Sequence, residues 1–248
     1  MDQVEQERME RMEESYWWHV GRRYLIERTL ARRFGPGGSM RICDVGCGTG
    51  RNMELLERFG DVVGVEPGGP GLDICRRRGL GPKRVVEGAA TCIPFGDGSF
   101  DLVTAFDVLE HLDDDGAGLA EMRRVLAPGG HLLLTVPAYR FLWSVHDESL
   151  GHRRRYVASE LHSKLNNAGF VVVRRSYAIS LPLPGIVAFR IAQGLLPAVA
   201  EQGASYVEVP PAVNQMLVSA LKLEAKLLKA IDLPAGASIF ALARRDGS

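Results

Sequence analysis

The chain has 248 residues, 46% of them hydrophobic and 24% charged, enough to bury a core in one large domain or one domain with an appendage. Thirty basic and thirty acidic side chains cancel to a formal charge of zero, which removes any bulk drive toward nucleic acid or an anionic membrane. The four cysteines, Cys43, Cys47, Cys75 and Cys92, make no Cys-x-x-Cys pair and no zinc spacing; they read as reduced thiols of a cytosolic protein, with no metal expected.

Met1 to Glu14 is charged and acidic, unlike a secretory signal, and residues 3–15 favour a solvated helix. Tyr16-Trp17-Trp18-His19 interrupts that pattern, and helical spacing resumes over 20–34 with Arg22, Arg23, Arg28, Arg32 and Arg33, until Gly35-Pro36-Gly37-Gly38 stops it. The aromatic cluster has two readings: core packing against a sheet, or a lid over a bound nucleoside, with Arg22 or Arg23 meeting a carboxylate.

Arg41 to Gly50 is the stretch around which the rest is organised. A short apolar run carries Asp44 near its end and then glycines at 46, 48 and 50. This predicts a buried strand, a tight turn and a helix start, whose free amides and bare backbone suit a nucleoside. A second strand, 61–66, ends in Glu66, an acid placed to accept from two ribose hydroxyls. Helices at 51–59, 71–78 and 116–126 alternate with strands at 83–87, 100–106 and 131–136. That alternation predicts an α/β fold with a mostly parallel sheet, helices on both faces and ligands at the carboxyl edge, where the glycine turn, Glu66 and Asp107 converge. A helix at 158–168 and strands at 170–177 and 238–243 bring the sheet to seven strands.

Between those last strands lies an insertion, about 180–236. Its first half, 181–200, is apolar but broken by Pro182, Pro184, Gly185, Arg190, Gly194 and Pro197, too interrupted for a membrane span. It reads as a helical cap, a wall for a greasy acceptor, a dimer contact or a peripheral membrane contact. Its second half has helical spacing through Val213, Met216, Leu217, Ala220, Leu221, Leu227, Leu228 and Ile231. The divisions expected are a helical lid (1–38), a nucleoside-binding core (39–178), a helical cap (179–236) and a closing strand (237–248).

Asp44-Val45-Gly46-Cys47-Gly48-Thr49-Gly50 resembles the glycine motif of the class I S-adenosylmethionine (SAM) dependent methyltransferases. Glu66, the run Ile93 to Asp101, Phe106-Asp107-Val108-Leu109-Glu110-His111 and Leu126-Ala127-Pro128-Gly129-Gly130 follow in that family's order, over residues 40–137. A nicotinamide site fits less well, since its turn runs Gly-x-Gly-x-x-Gly. The segment 141–156, the Trp17-Trp18…Arg22-Arg23 opening and the closing Leu233 to Ile239 are similar to a subgroup acting on small molecules and lipid-related metabolites.

The resemblance implies a Rossmann-like fold and SAM as cofactor, with S-adenosylhomocysteine as product. It implies that Gly46, Cys47, Gly48 and Gly50 lie against the methionine part and ribose, that Asp44 orients the turn, and that Glu66 and Pro67 hold the ribose side. It also implies Ala89, Ala90 and Ile93 near the adenine, Phe106 and Asp107 beside the methionine group, and Arg23 on its carboxylate. The family usually carries an acid at the position of Ala89, so the adenine amino group needs another acceptor here.

For catalysis the candidates are His146, His152 and Asp107, imidazoles having a pKa suited to proton transfer near neutrality. For the substrate they are Tyr16, Trp17, Trp18, His146, His152, Arg154, Arg155 and Tyr156, the arginines being the donors suited to phosphate, diphosphate or carboxylate. The expected activity is methyl transfer to a small, apolar or anionic metabolite. The alternatives are a protein that binds SAM without transfer, or an enzyme of this fold catalysing a rearrangement or cyclisation.

Overall fold

A computed structural model describes residue 10, residues 12–195 and residues 209–247. Seven strands form one sheet: β1 (Met40–Val45), β2 (Gly60–Glu66), β3 (Val85–Glu87), β4 (Phe100–Phe106), β5 (Leu126–Pro137), β6 (Phe170–Ala178) and β7 (Ser238–Arg245). The order is β3-β2-β1-β4-β5-β7-β6, with β7 antiparallel to both of its neighbours and the other pairs parallel. The strand order reverses between β1 and β4. Where the order of an open α/β sheet reverses, a ligand crevice forms outside the carboxyl ends of both strands.

The eight helices described are α1 (Trp17–Phe34), α2 (Arg51–Leu56), α3 (Pro70–Arg77), α4 (Asp115–Val125), α5 (Val145–Leu150), α6 (Ala158–Asn167), α7 (Leu183–Leu195) and α8 (Pro211–Leu227). Alternate strand residues feed two separate apolar layers, as the two-residue period of a strand requires. Ile42, Leu102, Leu133, Phe240 and Leu242 pack with Ile26 and Leu30 of α1, Met53 and Leu56 of α2 and Leu221 and Ala225 of α8. Cys43, Val103, Leu132, Leu134 and Ile239 pack with Leu119 and Met122 of α4 and Leu161 and Leu165 of α6. The sheet is therefore covered on both faces, as its strand-helix alternation predicts.

Three boundaries differ from expectation. Trp17 and Trp18 open α1 instead of interrupting it, because Asn214 of α8 accepts from the Trp17 amide at 2.8 Å and ties down the first turn. The segment 126–130 joins β5 instead of ending a helix: Leu126 pairs with Phe100 ahead of an irregularity in the ladder, and Leu102 pairs with His131. The helix expected over 51–59 stops at Leu56.

Helix α8 crosses α1 at Gly21, where a Cβ would meet Leu221 Cδ1 at 2.1 Å, so only glycine permits this approach. Glu224 of α8 is buried and accepts from the amides of Ile179, Ser180 and Leu181 at 2.5, 2.7 and 2.9 Å, which pins the turn that leads into α7. Most of the helix expected over 3–15, and residues 196–208 of the expected insertion, lie outside the described residues. Among the described residues no helix is long and apolar enough to cross a membrane.

Candidate active site

At the carboxyl edge of β1, β2 and β4 the glycine turn, α1, α5 and α7 enclose a chamber of about 860 Å³. That lies in the upper part of the range of small-molecule sites, about 300–1,000 Å³. The glycine turn makes one end of it. Gly46 and Cys47 both donate to Val65 O, at 2.7 and 3.2 Å, so the turn folds back on β2. Gly46 sits at φ +66°, and a Cβ there would meet Val108 Cγ2 at 2.7 Å; both conformation and space select glycine.

Glu66 leaves β2 pointing at this turn. Its Oε2 accepts from the Gly48 amide at 2.9 Å, which leaves the rest of its acceptor capacity facing the chamber. Burial pushes its pKa up to about 6 despite that amide. Asp44 lies beneath the turn, 1% exposed. Cα pairing of Asp44 with Thr104 across β1 and β4 brings the Thr104 hydroxyl to Asp44 Oδ1 at 2.6 Å. Its Oδ2 is buried with no hydrogen-bond partner. Burial pushes Asp44 up to about 7, against the pull of the Thr104 hydroxyl. A buried acceptor left open below a glycine turn, next to a second buried acid, fits a ligand with a cationic amine and a ribose diol. The expected cofactor has both.

Asp107 follows β4 at φ +57°, a costly conformation for a residue with a side chain. It is over-determined by its contacts: its amide donates to Thr135 O at 3.0 Å, the Thr135 hydroxyl donates to Oδ1 at 2.9 Å, and Arg22 of α1 pairs with Oδ2. Arg22, rather than Arg23, is thus the α1 arginine tied to the strand edge, although both line the chamber.

Of the expected cofactor residues, Gly46, Cys47, Gly48, Glu66, Pro67, Ala89, Ala90, Phe106, Asp107 and Arg23 line the chamber. Asp44, Gly50 and Ile93 are not on its wall: Asp44 lies buried beneath the turn, Gly50 is the N-cap of α2, and Ile93 is core, with its amide on Glu121 at 2.9 Å. Of the expected substrate residues, Tyr16, Trp17, Trp18, His146, His152 and Arg155 line it.

Arg154 and Tyr156 do not, which corrects their assignment to the substrate. Arg154 donates to the carbonyls of Leu112 and Asp113, each at 2.8 Å. Tyr156 is fully buried, its hydroxyl donating to Asp115 at 2.8 Å. Arg155 faces the chamber but is spent on Asp147, with Nε to Oδ1 at 2.8 Å and a terminal nitrogen to Oδ2 at 3.0 Å. The expected anion fork of Arg154 and Arg155 is therefore a bracing device. Replacing Arg154 by alanine is expected to leave the substrate KM within about twofold of the native value; steady-state kinetics over a substrate series checks it.

Asp147 also takes His152, whose Nδ1 donates to Oδ1 at 2.8 Å. Burial raises Asp147, but the bonds from His152 and Arg155 outweigh it and hold the acid at about 2. The carboxylate on Nδ1 orients the ring and leaves Nε2 as the nitrogen not engaged by Asp147. For His146, burial with Arg190 nearby lowers the pKa to about 4, so it is neutral at pH 7 and a weak base.

Two chamber acids, Glu13 and Glu110, escape a sequence reading. Glu13 lines it, and its buried carboxylate accepts from the Thr49 hydroxyl at 2.6 Å and pairs with Arg78. Glu110 is fully buried, with neither carboxylate oxygen hydrogen-bonded, and His111 stands edge-on to His152 with ring centroids 4.8 Å apart. Both lie inside the Leu109-Glu110-His111 motif, but on a 3-10 turn whose side-chain directions no periodicity announces. On the far side Pro182, Ile186, Phe189, Val209 and Leu217 form an apolar wall with Trp18, interrupted by Arg190.

Residues 43–134 match the methyltransferase domain family. A probable S-adenosylmethionine-dependent methyltransferase of Mycolicibacterium smegmatis is 31% identical over 164 residues, covering 64% of this chain and 61% of that protein. The demethylmenaquinone methyltransferase of Clavibacter sepedonicus is 36% identical over 118 residues, 46% of this chain and 48% of that one. The chain thus spans about half to three fifths of the length of these relatives. The crystal structure of the [4+2]-cyclase SpnF superposes with a TM-score of 0.56 at 24% identity, covering 90% of this chain and 80% of that one, a likeness of fold.

Proposed function

We propose that this chain, whose residues 43–134 match the methyltransferase domain family, is a class I SAM-dependent methyltransferase that transfers a methyl group to a small metabolite with an apolar body. The observation that carries this reading is the continuity of one chamber, from the glycine turn and Glu66 at one end to Trp18, Ile186 and Phe189 at the other. The cofactor supplies a methyl group on a sulfonium, already activated for displacement. What the chain contributes is position, and holding two reactants in line is worth several kcal/mol by itself.

Glu66 accepts from the ribose hydroxyls, Asp44 offers Oδ2 toward the amine, and Phe106 and Asp107 border the methionine part. Trp18, Ile186 and Phe189 hold the acceptor's apolar body and exclude water. An anionic group on the acceptor meets Arg190, whose Nε is buried and unpartnered while one terminal nitrogen donates to Gln193 at 2.8 Å. The proton of a hydroxyl or amine acceptor leaves toward the chamber imidazoles, His152 with its fixed tautomer before His146.

The reading is tested by incubating the protein with SAM and a panel of apolar phenols, isoprenoid alcohols, polyketides and amines, and scanning for the gain of one methyl by mass spectrometry. Once an acceptor is found, Phe189→Ala is expected to raise its KM about tenfold or more, since losing a buried ring costs over 1.4 kcal/mol. Binding of S-adenosylhomocysteine, read by calorimetry, should stay within threefold. A fall in cofactor affinity with an unchanged KM counts against the division of the chamber into two ends.

A further inference from the structure

We propose that Glu110, His111 and His152 form a site for one divalent transition-metal ion on the wall of the chamber. One ligating atom from each residue lies within 4.8 Å of the other two. All three residues line the cavity, so an ion held there keeps open positions toward the bound acceptor.

Glu110 points to the ion independently of that spacing. Its side chain is fully buried and neither carboxylate oxygen has a hydrogen-bond partner. Such groups are costly to bury and uncommon in folded proteins. Arg22 and Arg155, whose charges act on Glu110, are already paired, with Asp107 and Asp147. A divalent cation satisfies both oxygens.

His152 is arranged as metal-bound imidazoles are. Asp147 holds its Nδ1 at 2.8 Å and is itself held by both arms of Arg155, so the ring is oriented and its Nε2 is the free nitrogen. The two segments that carry the donors are clamped together. The Arg153 amide donates to Glu110 O at 2.8 Å, Arg153 Nε donates to His111 O at 3.1 Å, and the His152 amide donates to Asp147 O at 2.8 Å. Donors about 2.1 Å from a tetrahedral ion stand roughly 3.4 Å apart, so the set closes by roughly 1.4 Å at most, within the reach of side-chain torsions. Two imidazoles and one carboxylate suit zinc, iron(II), cobalt(II) or manganese(II) better than magnesium or calcium.

The ion would lower the pKa of a coordinated acceptor hydroxyl and orient an acceptor with two adjacent oxygens. That use rests on the methyl-transfer reading; the ion site does not. His152 then serves as a ligand, and turnover of its variants alone would not tell ligand from base.

The test is titration of the full, chelator-treated chain with Co²⁺ alone, followed by visible absorption and by calorimetry. One equivalent is expected to bind, with a new d–d spectrum. Glu110→Gln should weaken binding at least tenfold, and His111→Ala or His152→Ala should abolish the one-equivalent phase, while His162→Ala, outside the chamber, leaves it unchanged. S-adenosylhomocysteine binding by the same samples reports that each variant is folded and separates failure of the metal site from failure of the cofactor reading. Absence of a stoichiometric phase overturns the proposal, as does equal Co²⁺ affinity in Glu110→Gln. That variant keeps the side chain's shape, so it decides the matter even if a histidine variant does not fold.

Discussion

Replacing Glu66 by alanine is expected to weaken S-adenosylhomocysteine binding by about two to four orders of magnitude, measured by calorimetry at pH 7.5. The magnitude follows from two hydrogen bonds to a charged acceptor, each worth about 1.5–3 kcal/mol, and from tenfold in affinity for every 1.4 kcal/mol. Glu66→Gln, which keeps one acceptor, should fall between the two. The pH dependence adds a signature specific to this acid. Burial holds Glu66 at about 6, so in the free protein it is protonated below that pH. Binding a diol through the carboxylate then requires loss of that proton, and native affinity declines as pH falls from 7 toward 5, by at most tenfold per unit. Glu66→Gln should lack this part of the decline. Native-like affinity in Glu66→Ala would mean that the acid props up the Gly48 amide and does not meet the ligand.

Replacing Asp147 by alanine is expected to destabilise the protein by about 3–5 kcal/mol, read from urea unfolding. Asp147 is fully buried, and its removal strands the Arg155 guanidinium, itself 6% exposed, with only the carbonyl of Ala138 as partner. It also removes the acceptor of His152 and half of the capping box that starts α5, in which Asp147 accepts from the Ser144 amide at 3.0 Å. Because the folded pKa is depressed to about 2, the native contribution is complete above about pH 4 and is lost as pH falls through 2. The double variant Asp147→Leu with Arg155→Met should recover part of the loss, since a buried pair replaced by apolar side chains leaves no stranded charge. A loss below 1 kcal/mol in Asp147→Ala would show that Arg155 finds another partner.

These two acids differ in how far a sequence can announce them. Glu66 ends a strand just after a glycine turn, and strand, turn and acid are bound by local backbone geometry; so are Asp44, Gly46 and Asp107, and all were legible. The seven strands followed from period and punctuation. The loop at 144–156 was not legible in the same way. His152, Arg154, Arg155 and Tyr156 read as one cluster, but neighbouring side chains leave the backbone in different directions. Only tertiary packing decides that Arg155 turns inward to Asp147 while Arg154 braces the carbonyls of Leu112 and Asp113. Asp147 is the hub of this loop: hydrogen bonding within the loop was a reading open to it, but its full burial and its pairing with both His152 and Arg155 were not. Glu110 was hidden in another way: its motif was plain, but nothing local says that a 3-10 turn drives its carboxylate into the interior.

The contact between Glu13 and Thr49 has a consequence for how the two ligands are held. The segment that begins with Glu13 touches the glycine turn through its carboxylate, and five residues later it contributes Trp18 to the opposite end of the same chamber. One strip of chain therefore roofs both compartments. A nucleoside held at the turn and an acceptor held under Trp18 would therefore be coupled through one strip of chain, and an opening that frees one would loosen the other.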